Sequence, residues 1–140
     1  MFQERPFFGW GPGTYMFQYA PFQMSDEQTI ISTNSGNMGN AHSEYIGPLA
    51  ESGLFGMLSF LVLVIVVFTK GSLLYHKLPT GELKTVVLFT LLSLFTYVTH
   101  GLLNNYLDTD KASVPFWGFI AMLVAIDVYH RKNSLQSKAE

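Results

Sequence analysis

The sequence predicts an all-α membrane protein: three transmembrane helices preceded by an extracytoplasmic loop segment, together the C-terminal part of a larger polytopic bundle. Three observations carry this. Charged residues are only 13% of the 140, against roughly a quarter in a globular domain. Apolar residues reach 49%, with mean hydropathy +0.25. They are also gathered into three long runs instead of being spread along the chain. The composition excludes other classes as well. Without cysteine there is no disulfide scaffold, thiolate zinc site or cysteine nucleophile. A net charge of −2 with eight Lys and Arg excludes a basic nucleic-acid binder, and so much apolar and aromatic content argues against disorder.

The first run, residues 54–68, has no charged side chain. It extends to Tyr75 if Lys70 snorkels its amine to the interface, which gives the roughly 20 residues that a bilayer requires. The second, 85–103, has no Asp, Glu, Lys or Arg. The third, 114–130, is shorter and carries Asp127 near its end. Ser113 reads as its N-cap, and Pro115 sits in the first turn, where a missing N–H costs nothing. Trp117 and Tyr129 fall near its two ends, as interfacial aromatics should.

Basic residues set the expected orientation. Lys70, Lys77, Lys84, Arg131, Lys132 and Lys138, six of the eight, fall on one side of a three-span arrangement. Arg5 and Lys111 fall on the other, with Asp108 and Asp110 near Lys111. Residues 1–53 and the 104–113 loop are therefore expected outside, the 76–84 loop and the tail inside. A polar segment of about 50 residues must then cross the membrane, yet Met1 is followed by neither a basic n-region nor an apolar h-region. We therefore expect transmembrane helices upstream of this chain.

The outer segment opens with RPFFGWGPGTY at 5–15. Pro6, Gly9, Gly11, Pro12 and Gly13 make a rigid turn flanked by aromatics. A loop plugging into the bundle, with Trp10 and Tyr15 as interfacial anchors, is the plainest account. The glycines make neither a P-loop nor a dinucleotide fingerprint, since no G-K-[ST] follows and no strand precedes them. Residues 34–40 are turn-rich. AHSEYIGPLAESGLFG at 41–56 follows. Read as helix, His42, Tyr45, Ile46 and Leu49 share one face and Glu44 and Glu51 another, and Gly47–Pro48 should bend or restart it. A histidine at the membrane surface can act as a general base near neutrality. Its plainer role is a surface histidine capping a helix. For Glu51 the plainer role is a helix-terminal carboxylate holding a backbone N–H or a lysine.

On the second span Ser93, Thr96, His100 and Asn104 follow i, i+3, i+7, i+11. Such a polar stripe should face the bundle interior or a wet cavity. His100 is accordingly a second candidate, against an interhelical hydrogen bond as the plainer alternative. No two histidines have metal-ligand spacing, and no metal or cofactor is expected.

Taken in order, Arg5–Tyr15, Ala41-His42-Ser43-Glu44-Tyr45 and Leu49-Ala50-Glu51-Ser52-Gly53-Leu54-Phe55-Gly56 resemble the O-antigen ligase/polymerase family of bacterial inner membranes. Residues 96–105 and 115–119 are similar to that family's last helices. The family pattern is P-x-x-G-x-G at the start of a large periplasmic loop, then H-[NS]-x-[YFL], then [LA]-x-E-x-G-x-x-G opening a helix. The resemblance implies a multi-pass glycosyltransferase with a periplasmic loop and a cytoplasmic C-terminus. It would move an undecaprenyl-diphosphate-linked glycan to a saccharide acceptor hydroxyl: the lipid A core in ligases, the next repeat unit in polymerases. His42 matches the histidine thought to activate or position that hydroxyl, with Glu51, Glu44, Arg5 and His100 as supporting candidates and Gly9, Gly11 and Gly13 shaping the loop. Arginines of the family hold the diphosphate leaving group, which suits a bidentate, permanently charged donor. The family's Arg–x–x–x–Trp element would lie upstream of Pro6, and Arg5 matches no catalytic arginine, so the chain is expected to be catalytically incomplete. A non-catalytic membrane subunit or transporter fragment, using His100 and its stripe, is the alternative from another class.

Overall fold

The computed structural model describes residues 1–30, 32, 33, 35 and 38–136, with side chains described as far as Lys132. Asn34, Gly36 and Asn37 of the turn-rich stretch and Lys138 of the basic tail lie outside the described residues. Among those described there are helices and turns and no strand. Two short helices come first, α1 (Tyr15–Gln18) and α2 (Ile46–Glu51). Three long ones follow: α3 (Gly53–Lys77), α4 (Glu82–His100) and α5 (Asp110–Gln136). Each long helix contains a stretch long and apolar enough to cross a membrane: Gly53–Lys77, Glu82–His100 and Asp110–Lys132.

The helix ends correct the sequence reading in four places. Ser113 is not the cap of α5. The helix opens one turn earlier at Asp110, and Ser113 already donates its amide to the Thr109 carbonyl at 2.9 Å. Asp110 puts a carboxylate on the positive end of the helix dipole, which favours that start. Pro115 therefore lies inside the helix. Gly47–Pro48 does not break α2 either. Both sit in its first turn, where proline is tolerated, and the chain restarts at Ser52–Gly53. Residues 42–45 precede α2, so Glu44 and Glu51 share no helical face. Finally, α4 stops at His100, which leaves Asn104 off the helix.

The chain divides into two compact units. One comprises Leu63–His100 and Leu107–Glu140. Leu74, Leu78, Val87, Leu94, Phe116 and Leu123 form its core. In lipid this core gains little from leaving water, because acyl chains are as apolar as leucine; close packing has to hold it. Gly71 is the point of closest approach. A Cβ there would meet Leu91 Cδ2 at 2.6 Å and Leu123 Cδ1 at 3.4 Å. Phe68 sits edge-on to Phe95, and Tyr97 to Phe116. On α4 the inward face is Val87, Thr90 and Leu94, whereas Thr96 and His100 are exposed. Of the stripe residues on this helix, Ser93 is half-buried, and Thr96 and His100 face away from the core of this unit. Thr96 satisfies its hydroxyl locally, donating to the Leu92 carbonyl at 3.1 Å, and needs no cavity.

The other unit, Met1–Val62 with Gly101–Tyr106, holds the candidate site.

Candidate functional site

The site begins with an unmet demand of helix α3. The first amides of a helix have no partner inside it. Here the Pro6 carbonyl accepts from Leu54 N–H at 2.7 Å, and the Phe7 carbonyl from Phe55 N–H at 3.4 Å. The 5–15 loop thus caps the helix with its own backbone. The fit demands glycine on both sides. Gly53 has φ +66°, and a Cβ on it would meet the Phe7 carbonyl at 2.4 Å. Gly9 has φ +65°, and a Cβ there would meet the Glu51 carbonyl oxygen at 2.3 Å. Only hydrogen fits at either position. Phe7 and Phe8 pack against the Phe55 ring, with centroids 6.3 and 5.5 Å apart.

Glu51 completes this clasp. Its carbonyl accepts from Gly11 N–H at 2.7 Å. Its carboxylate accepts from Gly13 N–H at 2.8 Å and from Tyr15 N–H at 2.9 Å. Three amides of one turn converge on one residue, and hydrogen bonds to an ionised acceptor are the stronger kind. Of the three loop glycines, Gly9 is the one enclosed by backbone. A Cβ on Gly11 would touch only the Thr14 methyl, at 3.3 Å, and one on Gly13 would meet nothing within 4 Å.

Tyr15 stacks on Tyr19 with centroids 5.3 Å apart. Burial raises the Tyr15 hydroxyl above its ordinary pKa, with Tyr19 adding to the effect. The Tyr19 hydroxyl accepts from Gly39 N–H at 3.2 Å, which ties the 38–40 stretch to α1. Arg5 lays its guanidinium over the Trp10 ring, 4.2 Å from the centroid. That cation–π contact, with the Trp10 indole donating to the Met1 carbonyl at 3.3 Å, folds the loop onto itself.

His42 has φ +44°, alone among the described non-glycine residues in having a positive φ. Histidine is among the residues that enter this region more readily than most. The turn is held by Asn40, whose Oδ1 accepts from His42 N–H at 3.0 Å. The His42 side chain is exposed. The next two residues are anchored: Glu44 N–H donates to the Gly101 carbonyl at 2.8 Å, and the Ser43 hydroxyl donates to the same oxygen at 3.4 Å. The Ser43 oxygen also accepts from Tyr45 N–H at 3.2 Å and Ile46 N–H at 3.3 Å, which starts α2. Glu44 is nearly buried. Tyr45 packs edge-on against Phe60, with centroids 5.5 Å apart. Burial, and secondarily Glu44, raises the Tyr45 pKa.

The structure therefore brings Glu51 together with Gly9, Gly11 and Gly13 at one end of α2, and places His42 and Glu44 before its other end. Arg5 belongs to Trp10, and His100 to the other compact unit. Sequence reasoning gave no role to Ser43 or Gly101. A serine three residues before Ile46 is a recognisable capping signal; a carbonyl reached across 58 residues leaves no such trace. No group of three His, Asp or Glu residues suited to a metal ion occurs among the described residues.

An all-helical membrane chain with a loop clasped onto the start of a spanning helix is the class that this fold and site define. A family model described as O-Antigen ligase matches residues 1–61, nearly the same stretch as the Met1–Val62 part of the clasped unit. Over those residues the chain is similar to the O-antigen ligase family. No curated protein and no solved structure matches the chain.

Proposed function

We propose that this chain serves an O-antigen ligase-like glycosyltransferase of the bacterial inner membrane, which moves a polyprenyl-diphosphate-linked glycan to an acceptor hydroxyl on the lipid A core. The observation that carries this reading is the clasp itself. The segments of the first and third family motifs are each other's partners: Pro6 accepts from Leu54, Gly11 donates to Glu51, Gly9 lies against Glu51, and Gly53 lies against Phe7. The middle motif supplies a histidine held at an unusual backbone angle. Backbone strain of that kind persists where the surroundings over-determine it, and gathers at functional sites.

In this mechanism His42 accepts the proton of the acceptor hydroxyl. The hydroxyl oxygen attacks the anomeric carbon, the C–O bond to the diphosphate breaks, and the polyprenyl diphosphate leaves with the bonding pair. A positioned base contributes roughly 10²–10⁴-fold to such a step. Glu51 acts as a positioning residue, because its carboxylate is committed to amides. Arg5 stacks on Trp10 and matches no diphosphate-binding arginine of the family, so in this reading it shapes the loop. Neither metal nor nucleotide sugar enters the step.

The test is complementation. The full-length transferase that contains this chain is expressed in cells lacking their own ligase and, separately, in cells lacking their own polymerase. A ligase restores a ladder of glycan on lipid A core in the first. A polymerase restores only chain length in the second, which would reassign the acceptor. Restoration in neither would favour a non-catalytic membrane subunit.

A further inference from the structure

Within the three-helix unit, α3 and α5 enclose an open groove of about 240 Å³. Val67, Gly71, Leu74, Leu123 and Val124 line it, and its lining is overwhelmingly apolar. Gly71 forms part of the floor because it lets Leu91 and Leu123 approach. The polar exceptions are Lys70, Asp127 and Arg131. Asp127 and Arg131 form an i,i+4 ion pair, Asp127 mostly covered and Arg131 open. Lys70 has no ion-pair partner among the described residues. Two cations thus face one carboxylate, an excess of one positive charge on an apolar slot. The slot lies toward the end of the helices that also carries Lys77, Lys84 and Lys132.

A slot of this composition matches one kind of molecule: a long apolar chain ending in a single negative charge. We propose that the groove holds an acyl chain of an anionic glycerophospholipid, with its phosphate between the Lys70 ammonium and the Arg131 guanidinium. A zwitterionic lipid fills the slot equally well, but its own ammonium opposes the excess charge. A neighbouring helix would have to bring an acidic side chain into the membrane to meet Lys70 and Arg131. The orientation expected from the basic residues puts this site in the cytoplasmic leaflet, whose lipids carry the negative surface charge. The inference does not depend on the glycan-transfer reading.

The test is native mass spectrometry of the full chain in neutral detergent, offered equal amounts of phosphatidylglycerol and phosphatidylcholine with matched acyl chains. A basic residue near a lipid surface favours anionic lipid by about fivefold. We expect phosphatidylglycerol adducts to exceed phosphatidylcholine adducts by at least that factor, and Lys70→Gln with Arg131→Gln, which leaves the Asp127 carboxylate alone in the slot, to abolish that preference. Lys111→Gln, remote from the groove, should keep the preference. Val124→Trp, at a position more than half exposed, fills the slot and should abolish retention of both lipids. Equal retention by the unaltered chain, or a preference that survives the double substitution, would overturn the proposal. So would displacement of the lipid by inorganic phosphate alone, which would make the site one for free phosphate. A lipid-free dimer that Val124→Trp dissociates would mean that a second copy covers the groove.

Discussion

The Glu51 carboxylate accepts a hydrogen bond from the Tyr15 amide at 2.9 Å across 36 residues of chain. With the Gly13 amide at 2.8 Å on the same group, it joins the glycine-rich loop to the last residue of α2. Replacing Glu51 with Gln keeps the shape but removes the charge and one of the two acceptor oxygens. The expected cost is about 1.5–3 kcal/mol of local stability, the range for hydrogen bonds to charged groups. Hydrogen exchange at Gly13 and Tyr15 reads it directly. Faster exchange there, with α4 and α5 unchanged, is the predicted pattern; unaltered exchange would mean that the carboxylate contacts contribute nothing.

The loop glycines should separate sharply. Gly9→Ala forces a methyl into the Glu51 carbonyl and should lower abundance severely. Gly13→Ala has open space around it and should cost only the left-handed backbone penalty, about 1–2 kcal/mol. Thermal denaturation of the two variants in the same detergent gives the order. If Gly13→Ala proves the worse of the pair, the clasp geometry is wrong.

Much of this architecture was legible in the sequence, and what was legible had a local cause. The spans announce themselves through the length of their apolar runs, a property that needs no knowledge of neighbours. Their ends were harder. Ser113 carries capping chemistry, but Asp110 one turn earlier meets the helix dipole and wins. The face shared by Glu44 and Glu51 was drawn on a helix that Ser43 delays until Ile46. His42 was legible only as a motif match; its positive φ depends on the Asn40 side chain and was not visible. The clasp was hidden for a plainer reason. Contacts between residues 6–15 and 51–55 have no period, and a glycine that must be glycine because another segment lies 2.3 Å from its missing Cβ looks in sequence like any turn glycine.

Ser43→Ala should weaken the start of α2. Its hydroxyl serves the Tyr45 and Ile46 amides and the Gly101 carbonyl, and loss of a capping hydroxyl costs about 1 kcal/mol. Protease susceptibility of the 41–46 segment should rise while the clasp stays protected. Equal protection of both segments in the variant would remove Ser43 from this role.

The basic residues predict an orientation that labelling can check. In the chain with no native cysteine, Ser25→Cys should react with a membrane-impermeant maleimide in intact spheroplasts and Thr80→Cys should not. Both positions are exposed, so access to reagent decides the result. Labelling of Thr80→Cys from outside would invert the arrangement and remove His42 from the periplasmic face.

The most direct measurement of the central claim is glycan transfer by His42→Asn, normalised to protein level in a ligase-deficient cell. Asparagine tolerates the left-handed backbone at φ +44°, so this substitution removes the base without straining the turn, as alanine would. The expected result is normal membrane insertion and abundance with transfer reduced by about 10²–10⁴-fold, whereas His100→Ala retains most activity. Transfer at the unaltered level by His42→Asn, together with its loss in His100→Ala, would contradict the account and move the chemistry to the other histidine.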